Sequence, residues 1–163
     1  MTDVTSEASS QTTWTGSDIA RKSSEVARLV AQLQTESSDS DMLLRLFTKA
    51  AAETIGSDYA SVTLVCRGQV ETPVMIGEIA AASDALQQEL GEGPCLRSAT
   101  DDTTIWIDDM RHEERWPKFC AAAADLGIGS MACFCLYIAG EERGALNLHS
   151  TTANAFDDCL LYT

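Results

Sequence analysis

The residues whose types and spacing could do chemistry in this chain include several of its six cysteines. Cys95 follows Gly91-Glu92-Gly93-Pro94. Two glycines and a proline cannot continue a helix. Gly91 suits the left-handed position after one helix, and Pro94 suits the first turn of the next. A thiol just inside a helix start feels partial positive charge, which would favour a reactive or redox-sensing thiolate. The more ordinary role of a cysteine in a tight corner is a small buried hydrophobe.

Cys133 and Cys135 alternate along a strand-like run and so face one side. If the loop to the next strand has an odd residue count, they share that side with Asn147 and His149. Two thiols and an imidazole there could bind zinc or an iron centre. If the count is even, His149 faces away and no such site forms. The register is open at this stage, and no CxxC or HxxxH spacing supports a metal; no metal site is assigned.

Trp106, Trp116 and Phe119 are large aromatics of the kind that fill cores or line pockets. Asp108, Asp109 and Arg115 suit a pocket rim or an ion pair, with exposed charge the default. His112, within Arg-His-Glu-Glu, reads as a solvated loop residue. No Gly-rich phosphate loop, nucleophile elbow or HExxH motif occurs.

The elements that must position these residues can be read in order. Residues 1–15 read as a disordered tail rich in Ser and Thr. Ser17 or Asp18 caps a helix to about Gln34, with Val26, Leu29, Val30 and Leu33 on a single stripe. A second helix, about Asp41 to Ile55, places Leu43, Leu46, Phe47 and Ala50 on one face and stops at Gly56. Tyr59–Cys66 and Thr72–Ala80 read as two strands around a turn at Arg67-Gly68-Gln69. Ser83 is read as the cap of a short helix ending at Leu90.

After the glycine corner, Thr103–Ile107 reads as a third strand, ended by Asp108-Asp109. Pro117 opens a helix with Phe119, Cys120 and Ala123 inward, ended by Gly127. Gly129–Ala139 and Gly144–Ser150 form the last two strands. Gly129–Ala139 is apolar on both alternating sets, so both of its faces should be covered. Helices followed by strands with hairpin-type connections give an α+β domain built on an antiparallel sheet.

Composition narrows the function classes. The chain has 163 residues, enough for one sizeable domain. Its formal net charge of −14 argues against binding nucleic acid or an anionic membrane through a basic face. No run of apolar residues reaches membrane-spanning length, and the first residues lack a signal core. Six cysteines without a secretory signal should be mostly reduced thiols. A cytoplasmic location is expected.

Taken together, Tyr59-Ala60-Ser61-Val62-Thr63-Leu64, the Leu90–Leu96 corner, Trp106-Ile107-Asp108-Asp109, Arg115-Trp116-Pro117-Lys118-Phe119 and Gly144-Ala145-Leu146-Asn147-Leu148-His149 resemble the successive landmarks of a GAF domain. The resemblance covers about residues 18 to 158. It is nearest the actinobacterial type usually found upstream of an RNA-binding ANTAR domain. It implies a PAS-like sheet of about five or six antiparallel strands with helices on both faces. One face would be packed by terminal helices. The other would be closed by the glycine corner and the Trp-Pro helix over a small-ligand pocket, with dimerisation through the terminal helices.

On this reading 16–158 is the sensor domain and 159–163 the truncated start of a C-terminal helix, with the output domain absent. The pocket should lie between the sheet and the segment 91–119. Its expected lining is Cys95, Trp106, Trp116 and Phe119, with Asn147 or His149 as polar anchors. The ligand and any cofactor stay unidentified. The resemblance also raises a second possibility, a cysteine-dependent reductase of free methionine sulfoxide using Cys95 and Cys120, although the local sequences do not match that enzyme's pattern. A third is a ligand-free dimerisation module.

Overall fold

The computed structural model describes residues 40–67, 69–137 and 143–156. The expected tail, the helix carrying Val26 to Leu33, and the segment after Phe156 lie outside the described residues.

The chain runs α1 (Ser40–Ile55), β1 (Tyr59–Cys66), β2 (Gln69–Ile76), α2 (Glu78–Leu90), α3 (Pro94–Asp101), β3 (Ile105–Ile107), α4 (Pro117–Asp125), β4 (Ser130–Tyr137) and β5 (Arg143–Ser150). The five strands form one antiparallel sheet in the order β2-β1-β5-β4-β3. The fold is α+β, as expected.

Strand alternation sorts every side chain onto one of two faces. Ala60, Val62, Ala132, Leu146 and Leu148 point to one face and pack with Ala51 and Ala52 of α1 and with Phe156. The inward stripe of α1 is Leu44, Phe47, Ala51, Ala52 and Ile55, at helical spacing. The expected stripe of Leu43, Leu46, Phe47 and Ala50 is thus rotated by about one residue, with Phe47 common to both.

The opposite face is covered by three short helices. Cys95 and Ala99 of α3 and Phe119, Cys120 and Ala123 of α4 pack with Ile105, Ile107, Met131, Cys133 and Ala145. The apolar content of β4 on both sides follows from this double cover.

Two boundaries differ from expectation. β2 runs from Gln69 to Ile76 instead of Thr72 to Ala80. Gly77, at φ 91°, ends it. A Cβ there would lie 2.3 Å from the Tyr59 ring, so only glycine lets the chain turn against that ring. Helix α2 then begins at Glu78, and Ser83 is an interior residue, not a cap. Within β2, Val62 pairs with Val74 but Leu64 with Glu71. Thr72 and Pro73 therefore stand together opposite Thr63 in a bulge. A bulge on an edge strand is where a proline can sit without breaking the ladder.

The corner at 91–95 forms as its residues require. Gly91 caps α2 at φ 64°, Gly93 lies at φ 149°, and Pro94 takes the first turn of α3. A side chain on Gly93 would run into Gln87, whose Oε1 would be 2.2 Å from its Cβ. Pro117 likewise opens α4 immediately after Trp116.

Candidate functional site

The face beneath α2 and α3 carries an unusual concentration of buried polar side chains. β1 contributes Ser61 and Thr63, β5 contributes Asn147 and His149, and α2 contributes Ser83, Asp84 and Gln87. Six of these seven are at most 1% exposed, and Asp84 is 3% exposed. The register explains the grouping. Tyr137 pairs with Arg143, so five residues connect β4 to β5, an odd count. Asn147 stands opposite Cys133 and Ser61, and His149 opposite Met131 and Tyr59. The odd-count alternative is therefore the one realised, and Cys133, Asn147 and His149 share a face. Among the described residues, however, no group of three or more His, Cys, Asp or Glu side chains is placed to hold a metal ion.

Hydrogen bonds link this patch only in part. Asn147 Nδ2 donates to Thr63 Oγ1 at 2.9 Å, to Ser61 Oγ at 3.2 Å and, at the limit, to Asp84 Oδ1 at 3.5 Å. His149 Nε2 lies 3.1 Å from Ser83 Oγ. The Cys95 main-chain N–H donates to Gln87 Oε1 at 2.9 Å, so a glutamine of α2 caps the start of α3. Five atoms have no partner within hydrogen-bond distance and angle, Asp84 Oδ2, Gln87 Nε2, Asn147 Oδ1 and His149 Nδ1 of the patch and Thr72 Oγ1 of β2 beside it, although the Thr72 hydroxyl still acts on the Asp84 carboxyl and the Tyr59 main chain on His149. Buried polar atoms are nearly always paired, so five together mark a functional candidate.

The electrostatics agree with burial. Burial raises the Asp84 carboxyl from 3.8 to about 6, with the Ser61 and Thr72 hydroxyls acting the other way. Burial lowers His149 to about 4, opposed by the Tyr59 main chain. Both groups are therefore held toward their neutral forms. Burial also pushes the Cys95 thiol far up, with the Asp84 charge adding to it. The helix start above Cys95 does not offset that desolvation. Cys133 is raised by burial as well, and Cys120 is raised to about 12, by burial first and then by the Glu113 and Glu92 carboxylates.

The expected site residues divide. Cys95, Phe119, Asn147 and His149 lie under α2, α3 and α4, all nearly or fully buried. Trp116 is half-buried at the margin of the same core, with the Arg115 guanidinium 4.7 Å from its ring centroid. Trp106 is corrected: it lies on the other face, edge-on to Phe134 with centroids 5.2 Å apart. In the three-residue strand β3, Ile105 and Ile107 take the side facing α3 and α4, and alternation sends Trp106 away.

Asp84 and Gln87 are absent from the expected site. The helix expected over Ser83–Leu90 already sets them three apart on one face, but nothing in that spacing says that the face lies on the polar side of the sheet. Arg115 pairs with Glu113 through Nε at 2.9 Å and Nη2 at 2.6 Å, not with Asp108 or Asp109. Asp109 pairs with His112 instead.

The corner and α4 are tied by one carboxylate. Glu92 Oε1 accepts the N–H groups of Lys118 at 2.9 Å and Phe119 at 3.0 Å. A residue far back in sequence thus caps α4 and ties it to the corner between α2 and α3.

Among the described residues, grooves open at the surface on both sides of the sheet. One, of about 530 Å³, lies between α1 and the hairpin, lined by residues including Arg45, Lys49, Glu53, Asp58 and Met75. The other, of about 430 Å³, flanks the outer side of α4 beside Met110, Glu114, Pro117 and Asp125.

The architecture is an antiparallel sheet with a helix on one face and short helices sealing a polar patch on the other. A family model described as GAF domain matches residues 37–159, and the chain belongs to that family. No curated protein matches the sequence. Among solved structures, the chain is similar to the A. aeolicus NLH2 GAF domain in an inactive state, at 11% identity and a TM-score of 0.62, with 88% of each chain covered. It is similar to the N-acylhomoserine lactone dependent LuxR-family transcription factor CepR2 from Burkholderia cenocepacia, at 16% identity and a TM-score of 0.62, covering 82% of this chain and 80% of that one. It is also similar to free methionine-R-sulfoxide reductase from Neisseria meningitidis in complex with its substrate, at 15% identity and a TM-score of 0.57, covering 98% of this chain and 86% of that one. At these identities the likeness is one of fold. No helix among the described residues is long and apolar enough to cross a membrane.

Proposed function

We propose that this chain is a regulatory sensor domain that holds a small molecule against the buried polar patch of Asp84, Gln87, Asn147 and His149. The observation that carries this reading is the set of unpartnered polar atoms gathered at one place under α2 and α3. A purely structural core would be expected to pair or omit them. The Glu92 clasp gives a route for signalling, because a ligand that shifts α2 or α3 moves the corner and with it α4. Signalling onward through the terminal helices to an ANTAR-type transcription antitermination output, and dimerisation through Val26, Leu29, Val30 and Leu33, rest on the family resemblance. The lack of direct nucleic-acid binding accords with the net charge of −14, and a cytoplasmic setting rests on reading the six cysteines as reduced thiols.

The reductase reading is weaker on a specific ground. Cys95 and Cys120 are both buried, and burial raises both thiols, which disfavours the thiolate such chemistry needs.

Native mass spectrometry of freshly purified protein, with an absorbance spectrum, tests the sensor reading. A retained small molecule should be lost in Asn147→Ala and in Gln87→Ala while the circular dichroism spectrum is kept. A retained molecule indifferent to both substitutions would place the ligand elsewhere. Thiol-dependent turnover of free methionine sulfoxide would instead support the reductase.

A further inference from the structure

We propose that the ligand of the buried patch is a small organic cation bearing several N–H donors, such as an alkylammonium or amidinium group, seated between the Asp84 carboxylate and the Asn147 side-chain oxygen. This rests on the sensor reading above and specifies its ligand class.

The starting point is charge. Asp84 is 3% exposed, and among the described residues no ion pair to a Lys or Arg involves it. The other titratable groups facing it come from three elements: His149 from β5, Cys95 from α3 and Cys133 from β4, all buried. Burial keeps each of them neutral near pH 7, so none supplies a positive charge. An isolated carboxylate in such a place is unfavourable unless it is neutralised or meets a cation.

The unpartnered atoms then specify the ligand's donors and acceptors. Asp84 Oδ2 and Asn147 Oδ1 both lack a partner of good hydrogen-bond geometry, and the Ser61 and Thr72 hydroxyls near Asp84 are neutral donors that leave its charge unmatched. Turning Asn147 would keep its contacts to the Ser61 and Thr63 hydroxyls, which can donate as well as accept, but would set its oxygen instead of its N–H groups against Asp84 Oδ1, 3.5 Å away. Two acceptors on neighbouring side chains, one of them anionic, match an N–H-rich cation. Gln87 Nε2 offers the converse, a donor with no acceptor, because its Oε1 is held by the Cys95 main chain. A carbonyl or hydroxyl oxygen elsewhere on the ligand would meet it. An anionic ligand such as a phosphate or carboxylate would be set against Asp84 at short range in a poorly solvated place.

The cation and a proton compete for the same carboxylate. Asp84 is ionised above about pH 6 and protonated below it. At about pH 5 only about a tenth of the protein carries the charge, so apparent affinity should fall roughly tenfold from its value at about pH 7.5.

The experiment follows the side-chain amide resonances of Asn147 and Gln87 in the 15N-labelled full chain. The probes are methylammonium and acetamidinium as cations, urea as a neutral donor, acetate as an anion and potassium as an inorganic cation. The expected result is a saturable shift with the organic cations at about pH 7.5, roughly tenfold weaker near pH 5 and absent in Asp84→Asn. If Asp84→Asn fails to fold, the pH series on the unaltered protein decides alone. An equal response to urea, acetate or potassium would overturn the cation assignment while leaving the patch a ligand site. So would a pH-independent affinity. A patch silent to every probe would overturn the assignment, and the sensor reading would then stand or fall on the retained molecule and its sensitivity to Asn147→Ala.

Discussion

Asp84 and His149 should make opposite and nearly cancelling contributions to the pH dependence of stability. For Asp84, the folded-state value of about 6 lies above the ordinary 3.8. The folded state therefore holds the proton more tightly, and the contribution is present below about pH 4 and lost as pH rises through about 6. That difference corresponds to about 3 kcal/mol. For His149, the folded-state value of about 4 lies below the ordinary 6.5. Here the unfolded state holds the proton more tightly, so the contribution is present above about pH 6.5 and lost as pH falls through about 4. Its size is also about 3 kcal/mol. The two windows overlap, so the sum changes little between them. Single substitutions should unmask each half. Measured as a difference from the unaltered protein, Asp84→Asn should gain stability with rising pH, from near zero at about pH 4 to about 3 kcal/mol at about pH 7. His149→Asn should show the complementary trend, its deficit shrinking as pH falls from about 6.5 to about 4. Urea unfolding followed by circular dichroism at a series of pH values gives both differences, and titrating groups common to the proteins cancel. A difference for Asp84→Asn that stays flat across this range would refute burial as the dominant influence on that carboxyl.

Replacing Glu92 with Ala should remove the cap on α4 and cost about 1 kcal/mol in urea unfolding, with faster hydrogen exchange at the Lys118 and Phe119 amides; unchanged exchange there would rule out the clasp. Phe119→Ala should cost about 3–5 kcal/mol, because the ring is fully buried. Trp116→Ala should cost clearly less, since its side chain is only half-buried, and equal losses in thermal unfolding would contradict that placement. Under native conditions, thiol labelling mapped by peptide should modify Cys135 before Cys95 and Cys133, because the latter two are sealed in the core; early labelling of Cys95 would mean that α3 opens readily.

Much of the frame was legible in the residues. Gly91, Gly93 and Pro94 specify their corner because few other residues adopt those backbone angles or tolerate that position. Pro117 marks the start of α4 for the same kind of local reason. The apolar content of both sides of Ser130–Tyr137 told of a strand covered twice. The Ser83 region misled because Val74, Ile76 and neighbouring alanines continue a strand-like pattern, while the turn at Gly77 depends on contact with the distant Tyr59 ring.

The site itself was decided by tertiary structure. Alternation tells which residues of a strand share a side, but not which side faces which helix. Only the five-residue connection and its register bring Asn147 and His149 to the face of Cys133 and Ser61, and only the pairing of the short β3 sends Trp106 away from it. The cap of Phe119 by Glu92 and of Cys95 by Gln87 spans segments that no local pattern connects. Sequence periodicity is a property of one element at a time, whereas a buried carboxylate such as Asp84, with no Lys or Arg partner among the described residues, is defined by every neighbour packed against it.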